Sequence, residues 1–359
     1  MNPVSVTTAI PARSTHEDAT TASVQSPEMP ESYSAHIAEA RTAWLTRYAW
    51  AVVGWNVLVI LWGAVVRATG SGAGCGNHWP LCNGQVIPQS PHVATIIEFT
   101  HRVMTGGASF TILGLLIWTY IAMPRRHLAR AAVTASAVFL LLEALLGALL
   151  VKLGYVVNNQ SAGRFVVLPI HLANTMLLLA ALTLTAHYLG RTRGFMRGSV
   201  ELRFPGIAFT GLFATMLVGV SGSLAALGDT LFPAASLRAA FAQDFSGTSN
   251  WLLRLRWVHP ATALLAGLFV AWLMYRASRR PDSRLLMATV GGLLLLQYAL
   301  GALDVLLLAP AWMQIVHLLG ADLLWIALIA LTARLTVVPI GCTLGVARAD
   351  GRPARCELF

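Results

Sequence analysis

The chain has 359 residues, of which 56% are hydrophobic and 11% charged, with a formal net charge of +10 and a mean hydropathy of +0.66. That much apolar surface excludes a soluble domain of this size and marks an integral membrane protein. The basic excess, 25 Lys and Arg against 15 Asp and Glu, does not indicate nucleic acid, because the arginines cluster in short loops between apolar runs, where they set membrane topology.

Residues 1–43 are rich in Ser, Thr, Pro, Ala and Glu and contain no apolar run. They lack the hydrophobic region of a cleaved signal peptide, and Glu17, Asp18, Glu28 and Glu31 argue against a transit peptide. The segment reads as a disordered cytoplasmic tail. Eight apolar runs follow, at about 44–69, 94–122, 131–151, 164–189, 206–227, 251–275, 285–308 and 312–337. Each holds the roughly 20 residues a helix needs to cross a bilayer. Arginines fall between spans two and three (Arg125, Arg126, Arg130), four and five (Arg191, Arg193, Arg197, Arg203), six and seven (Arg276, Arg279, Arg280, Arg284), and in the tail (Arg348, Arg352, Arg355). The alternate loops are poorer in basic residues, which places both termini in the cytoplasm.

In the first outer loop, Cys75-Gly76-Asn77-His78-Trp79-Pro80-Leu81-Cys82 lies on the side where disulfides persist. The two thiols can close a small loop or act as a reactive pair; a zinc site would need more ligands at other spacings. Cys342 and Cys356 are cytoplasmic by this topology and are expected to be reduced. Span two opens on Ile96-Ile97-Glu98-Phe99-Thr100-His101-Arg102. A charge at mid-helix costs about 2.5–3.5 kcal/mol on insertion scales. Glu98 and His101, three apart on one helix face, are therefore a functional candidate, or else part of a helix-end cluster that snorkels to the headgroups.

Six of the ten histidines (His16, His36, His78, His92, His127, His187) lie in tails, loops or span ends and read as solvated or interfacial. The other four, His101, His171, His259 and His317, fall one each on spans two, four, six and eight, which all run in the same direction. Each lies about 8–12 Å past the outer end of its span at 1.5 Å per residue. A single such histidine can simply bond across helices; four at one depth point to two bis-imidazole metal or heme sites.

The chain also reads as a duplication. Glu143-Ala144-Leu145-Leu146-Gly147-Ala148-Leu149 resembles Gln297-Tyr298-Ala299-Leu300-Gly301-Ala302-Leu303, and Ile170-His171-Leu172 resembles Val316-His317-Leu318. The fold expected is all-α: eight transmembrane helices as two pseudo-symmetric four-helix bundles, residues 44–190 and 206–337, joined by a cytoplasmic linker at 191–205 and followed by a cytoplasmic tail at 338–359. Gly147 and Gly301 leave room for a flat macrocycle or for a neighbouring helix.

The run Gly63-Ala64-Val65-Val66-Arg67-Ala68-Thr69-Gly70-Ser71-Gly72, the Cys75 to Cys82 loop and the Glu98 to Arg102 motif, in that order, resemble heme A synthase. The resemblance spans residues 44–337 and in the second half rests on the histidines and Gln314-Ile315-Val316-His317-Leu318. It implies an oxidoreductase of the cell membrane that oxidises the C8 methyl of heme O to a formyl group, giving heme A for cytochrome oxidase. It implies that His101 and His171 ligate the substrate heme in the first bundle, that His259 and His317 ligate a heme b in the second, that Glu98 is the essential acidic residue, and that Cys75 and Cys82 form a disulfide. Heme O synthase is then the expected heme donor, beside an electron-transfer partner that the sequence does not identify; it allows a homo-oligomer. Arg67, Arg102, Arg164, Arg254 and Arg256 are candidate partners for the heme propionates or, equally, headgroup anchors.

Two departures stand out. Pro260 follows His259 where an arginine is expected, with Arg256 a substitute, and residues 228–250 lack the second cysteine pair of some relatives. The alternatives are a diheme b-type electron-transfer cytochrome, which leaves Glu98 and the cysteine loop unexplained, and a transporter using the histidines and glutamate as a proton relay.

Overall fold

The computed structural model describes residues 31–191, 200–202, 205–247, 251–277 and 283–339. Most of the expected tail at 1–43, much of the linker at 191–205, and the C-terminal segment with Cys342 and Cys356 lie outside the described residues. Ten α-helices occur among the described residues: α1 Glu31–Ala68, α2 Val93–Ala122, α3 Leu128–Lys152, α4 Ala162–Leu189, α5 Pro205–Leu231, α6 Leu237–Phe245, α7 Trp251–Arg254, α8 Val258–Ala277, α9 Arg284–Leu306 and α10 Ala311–Thr336. Eight helices are long and apolar enough to cross a membrane, so the expected all-α membrane architecture holds. Phe110, Ile121, Leu265 and Leu295, each more than two-thirds exposed, give the apolar exterior that a hydrocarbon solvent requires.

Three elements differ from the sequence reading. Helix α1 begins at Glu31, inside the segment read as a disordered tail; Ala, Glu and Arg dominate residues 35–41 and favour helix without any apolar run. The sixth span is divided, with a 3₁₀ turn at Leu255–Trp257 between α7 and α8. Pro260 therefore falls in the first turn of α8, where a missing N–H costs little. The loop at 228–250 contains α6, capped by the Ser236 hydroxyl on Ala239 N; its Phe241 and Phe245 rings lie 5.6 and 5.3 Å from that of Trp257. A short antiparallel ladder also pairs β1 (Val200–Leu202) with β2 (Val337–Pro339).

Helix α1 is registered on α2 by a seven-residue ladder. Tyr48 Oη, Trp55 Nε1 and Trp62 Nε1 donate to the carbonyls of Thr111, Met104 and Ile97 at 2.9, 3.3 and 3.0 Å. Gly107 and Gly114 leave room for the Trp55 ring and the Tyr48 hydroxyl. Between helices in lipid, where apolar burial gives little drive, hydrogen bonds and small residues of this kind fix the packing.

Helices α4 and α10 are the innermost, with 50% and 44% of their apolar windows buried against 11% for α9. Trp325 Nε1 on α10 donates to the Met176 carbonyl on α4 at 2.8 Å, joining the two repeats. The main packed cluster includes Leu45, Ile112, Val133, Leu179, Leu182, Leu189 and Trp325. It lies toward the arginine-rich ends of the helices. The four histidines lie toward the other end, beside the cysteine loop.

Candidate functional site

Each of the four aligned histidines rests on a glycine of the preceding long helix. His101 Cε1 would lie 3.2 Å from a Cβ at Gly63, His171 Cε1 3.9 Å from one at Gly147, His259 Cε1 2.9 Å from one at Gly222, and His317 Cε1 3.2 Å from one at Gly301. The glycines come from α1, α3, α5 and α9 and the histidines from α2, α4, α8 and α10, so the arrangement occurs twice in each repeat. Gly147 and Gly301 were legible as small residues. Gly63 and Gly222 were not assigned this part, because only helix packing sets a glycine opposite an imidazole.

In the second repeat the rings of His259 and His317 have centroids 6.3 Å apart at an interplanar angle of 87°. Two imidazoles bound at their Nε2 atoms to one metal ion, at about 2.0–2.1 Å each, have centroids about 6 Å apart. His259 Nδ1 lies 3.2 Å from the Val218 carbonyl. A carbonyl only accepts, so Nδ1 carries the proton and Nε2 keeps its lone pair for a ligand. In the first repeat His101 and His171 make the matching contacts with Gly63 and Gly147. The Nδ1 atoms of His101, His171 and His317 are buried without hydrogen-bond partners. The residues present therefore fit two bis-imidazole hemes.

The glycine contacts give a graded expectation. Gly222→Ala forces a methyl to 2.9 Å from the His259 ring, whereas Gly147→Ala makes an ordinary 3.9 Å contact with His171. Overpacking of this kind costs about 1–3 kcal/mol. We expect Gly222→Ala to lower the heme-to-protein ratio of the purified protein and Gly147→Ala to leave it unchanged, as read from the absorbance of the extracted heme.

Glu98 is 3% exposed and both its oxygens are engaged. Oε2 accepts the Cys75 N–H at 2.7 Å and Oε1 pairs with Arg102 Nη2 at 2.5 Å. Arg102 Nη1 donates to the carbonyls of His78 and Leu81 at 2.7 and 2.6 Å, and Thr95 Oγ1 donates to the Gly74 carbonyl at 2.7 Å. Thr95, Glu98 and Arg102 are spaced three and four apart, so one face of α2 holds the loop that the Cys75–Cys82 disulfide closes. Gly74 is required there, since a Cβ would lie 2.3 Å from the Ala94 carbonyl oxygen. Glu98 thus neither snorkels nor projects freely beside His101; it links the disulfide loop to the helix that carries His101.

The arginines offered as propionate partners are already engaged. Arg67 donates to the Ala226 carbonyl, Thr230 Oγ1 and Gln314 Oε1 at 2.9, 2.8 and 2.7 Å, crossing from the first repeat to the second. Arg164 donates to the carbonyls of Val157 and Asn159, and Arg254 to those of Ser246 and Gly247. Arg256 pairs with Asp229 at 3.0 Å and Asp244 at 3.3 Å and donates to the carbonyls of Gly228 and Phe232. It secures the α5–α6 turn rather than replacing an arginine at 260. Burial raises the Asp244 carboxyl above its ordinary value, against the pull of Arg256. His127, read as interfacial, is instead 2% exposed and accepts the Ala129 N–H through Nδ1 at the start of α3; burial lowers its imidazole below the ordinary histidine value.

A model of the family described as cytochrome oxidase assembly protein matches residues 46–329. A protoheme IX farnesyltransferase of Thermus thermophilus is 45% identical over 299 residues, covering 80% of this chain and 48% of that protein. A heme A synthase of Alkalihalophilus pseudofirmus is 39% identical over 128 residues, 36% of this chain and 40% of that protein. A heme A synthase of Exiguobacterium sibiricum is 33% identical over 168 residues, 46% of this chain and 54% of that protein. The chain spans about half the length of the relatives it matches.

Proposed function

Since the chain belongs to the cytochrome oxidase assembly protein family, the family of the heme A synthases, we propose that it oxidises the C8 methyl group of heme O to a formyl group. The observation that carries this reading is the histidine–glycine contact made twice in each repeat, together with a cysteine loop and a carboxylate attached to one repeat only. Two equivalent heme sites would suffice for electron transfer alone. The added apparatus on the first repeat gives that bundle a separate task. The farnesyltransferase name belongs to a Thermus protein of which this chain matches 48%, so it need not describe the matched part.

In this reading His101 and His171 hold the substrate heme, and His259 and His317 hold a heme b. Bound iron porphyrin supplies one-electron redox chemistry, which no side chain here provides. The net change takes four electrons from the methyl carbon and adds one oxygen; with water as its source, four protons are released. An external electron acceptor closes the balance. The protein's own part is to fix two imidazoles through the glycine contacts, to carry charge near the heme edge, and to accept protons. Glu98, one helical turn from His101, already accepts from Arg102 and from the Cys75 N–H, so its affinity for a proton depends on the loop.

The disulfide end faces outward and both termini lie in the cytoplasm of a multi-pass cell-membrane protein, on the arginine distribution. The substrate is supplied by a farnesyl transfer to protoheme, the reaction named for the Thermus relative.

The test is the identity of hemes extracted from the protein purified after expression beside a heme O synthase, by chromatography with mass detection. Heme B together with heme O, heme A or a hydroxylated intermediate is the expected result. Two equivalents of heme B with no farnesylated heme would replace this reading with the electron-transfer cytochrome. No heme would overturn both.

A further inference from the structure

The two repeats differ behind His171 and its counterpart His317, and the difference involves a set of residues. In the first repeat Glu143 on α3 lies one turn before Gly147, with Oε1 3.6 Å from His171 Nδ1. Asn174 Nδ2 donates to Glu143 Oε2 at 2.6 Å and to the Phe139 carbonyl at 2.9 Å. Thr175 Oγ1 contacts Glu143 Oε1 at 2.5 Å and the His171 carbonyl at 2.9 Å. The carboxylate is therefore held from α4 by the residues three and four positions after His171.

In the second repeat Gln297 lies one turn before Gly301, the place that Glu143 has before Gly147. Its Nε2 donates to the His317 carbonyl at 3.1 Å, and its Oε1 is buried without a partner. The residues three and four after His317 are Gly320 and Ala321, neither of which has a side-chain donor. A Cβ at Gly320 would lie 2.7 Å from Gln297 Oε1. The first repeat thus has a carboxylate with two side-chain donors, and the second an amide with none.

A carboxylate facing the far nitrogen of a metal-bound imidazole accepts its N–H, fixes the ring and makes the bound nitrogen a stronger electron donor. A distance of 3.6 Å is just outside hydrogen-bond range. A ring movement of a few tenths of an ångström closes it, and contacts of this kind tighten when a site is loaded. Stronger donation stabilises the higher oxidation state of the iron and lowers its reduction potential. An amide turned to the backbone carbonyl, as Gln297 is, does neither; in that repeat only the neutral Val218 carbonyl faces a ligand nitrogen, at His259 Nδ1, and a neutral acceptor acts more weakly than a carboxylate.

We propose that Glu143 is a positioning residue that orients His171 and sets the first-repeat heme at a lower reduction potential than the second-repeat heme. The inference rests on the reading that the four histidines bind heme. It makes electron transfer from the first repeat to the second downhill, so oxidation of the methyl group belongs to the bundle with Glu143.

The experiment is a spectroelectrochemical titration of the purified heme-loaded protein, with heme content measured on the same sample. The unaltered protein should titrate in two waves. E143Q should move the lower wave up toward the other, and Q297E should move the upper wave down. If E143Q retains one heme only, T175V is read instead: it keeps the carboxylate, removes one of its contacts, and should raise the lower wave by less. A lower wave unmoved at full heme content overturns the inference while leaving the proposed function in place. A protein without heme overturns both and is recognised before any titration.

Discussion

Replacing His101 or His171 by alanine is expected to remove farnesylated heme from the purified protein and to abolish formyl product, while heme B remains. Replacing His259 or His317 should do the reverse to the resident heme. In the proposed function each imidazole is one of the two ligands that hold its heme, kept in place by a glycine contact, and the His259 and His317 rings lie 6.3 Å apart. Loss of an outer-shell partner alone costs about 10–100-fold in metal affinity, so loss of a ligand should cost at least the upper end of that range. The measurement is heme identity and stoichiometry in the four single variants. If all four keep two equivalents of heme, the histidines are not the ligands. If all four lose both hemes, each repeat depends on the other for its structure; the cross-repeat contacts of Arg67 and Trp325 would be the first place to look.

The eight spans were legible because hydrocarbon imposes length and apolarity on any helix that crosses it. The four histidines stood out because polar side chains at one depth on parallel helices are expensive and so few. What the sequence did not reveal depends on contacts between elements. The i,i+4 spacing of Glu98 and Arg102 was present in the motif, but that their other bonds go to the Cys75 N–H and to the loop carbonyls follows from how the loop folds back onto α2. Arg256 looked available because its partners Asp229 and Asp244 lie 27 and 12 positions earlier. Helix α6 was missed because nine residues with few strongly apolar side chains give no membrane signal, and its aromatic contact with Trp257 is tertiary. Glu143 opposite Gln297 was visible as a difference between the repeats. Its meaning emerged only once Asn174 and Thr175 were found on the carboxylate.

Substituting Glu98 should loosen the disulfide loop as well as stop the reaction, and the two effects can be separated. Glu98→Gln keeps the shape but replaces one acceptor oxygen by an N–H₂ donor. Whichever way the amide turns, either the Cys75 N–H or the Arg102 guanidinium meets a donor, and Arg102 loses its counter-charge where its side chain is 14% exposed and that of Glu98 5%. Breaking a buried pair on one side costs about 3–5 kcal/mol. The cost falls on the clasp formed by Thr95, Glu98 and Arg102. We therefore expect Glu98→Gln to make the segment around Cys75–Cys82 more susceptible to proteolysis and its disulfide more readily reduced, with His259 and His317 still holding heme B. Opening the loop without touching the carboxylate, by the Cys75→Ser and Cys82→Ser pair, tells which property the reaction needs. If Glu98 acts only by fixing the loop and, through it, the start of α2, the double serine variant should lose conversion as Glu98→Gln does. If Glu98 itself takes the proton, the double variant should free it from the Cys75 N–H and retain conversion while Glu98→Gln remains inactive. Loop proteolysis unchanged in Glu98→Gln would show that the clasp does not depend on this carboxylate, and would leave the Arg102 bonds to the His78 and Leu81 carbonyls as what holds the loop.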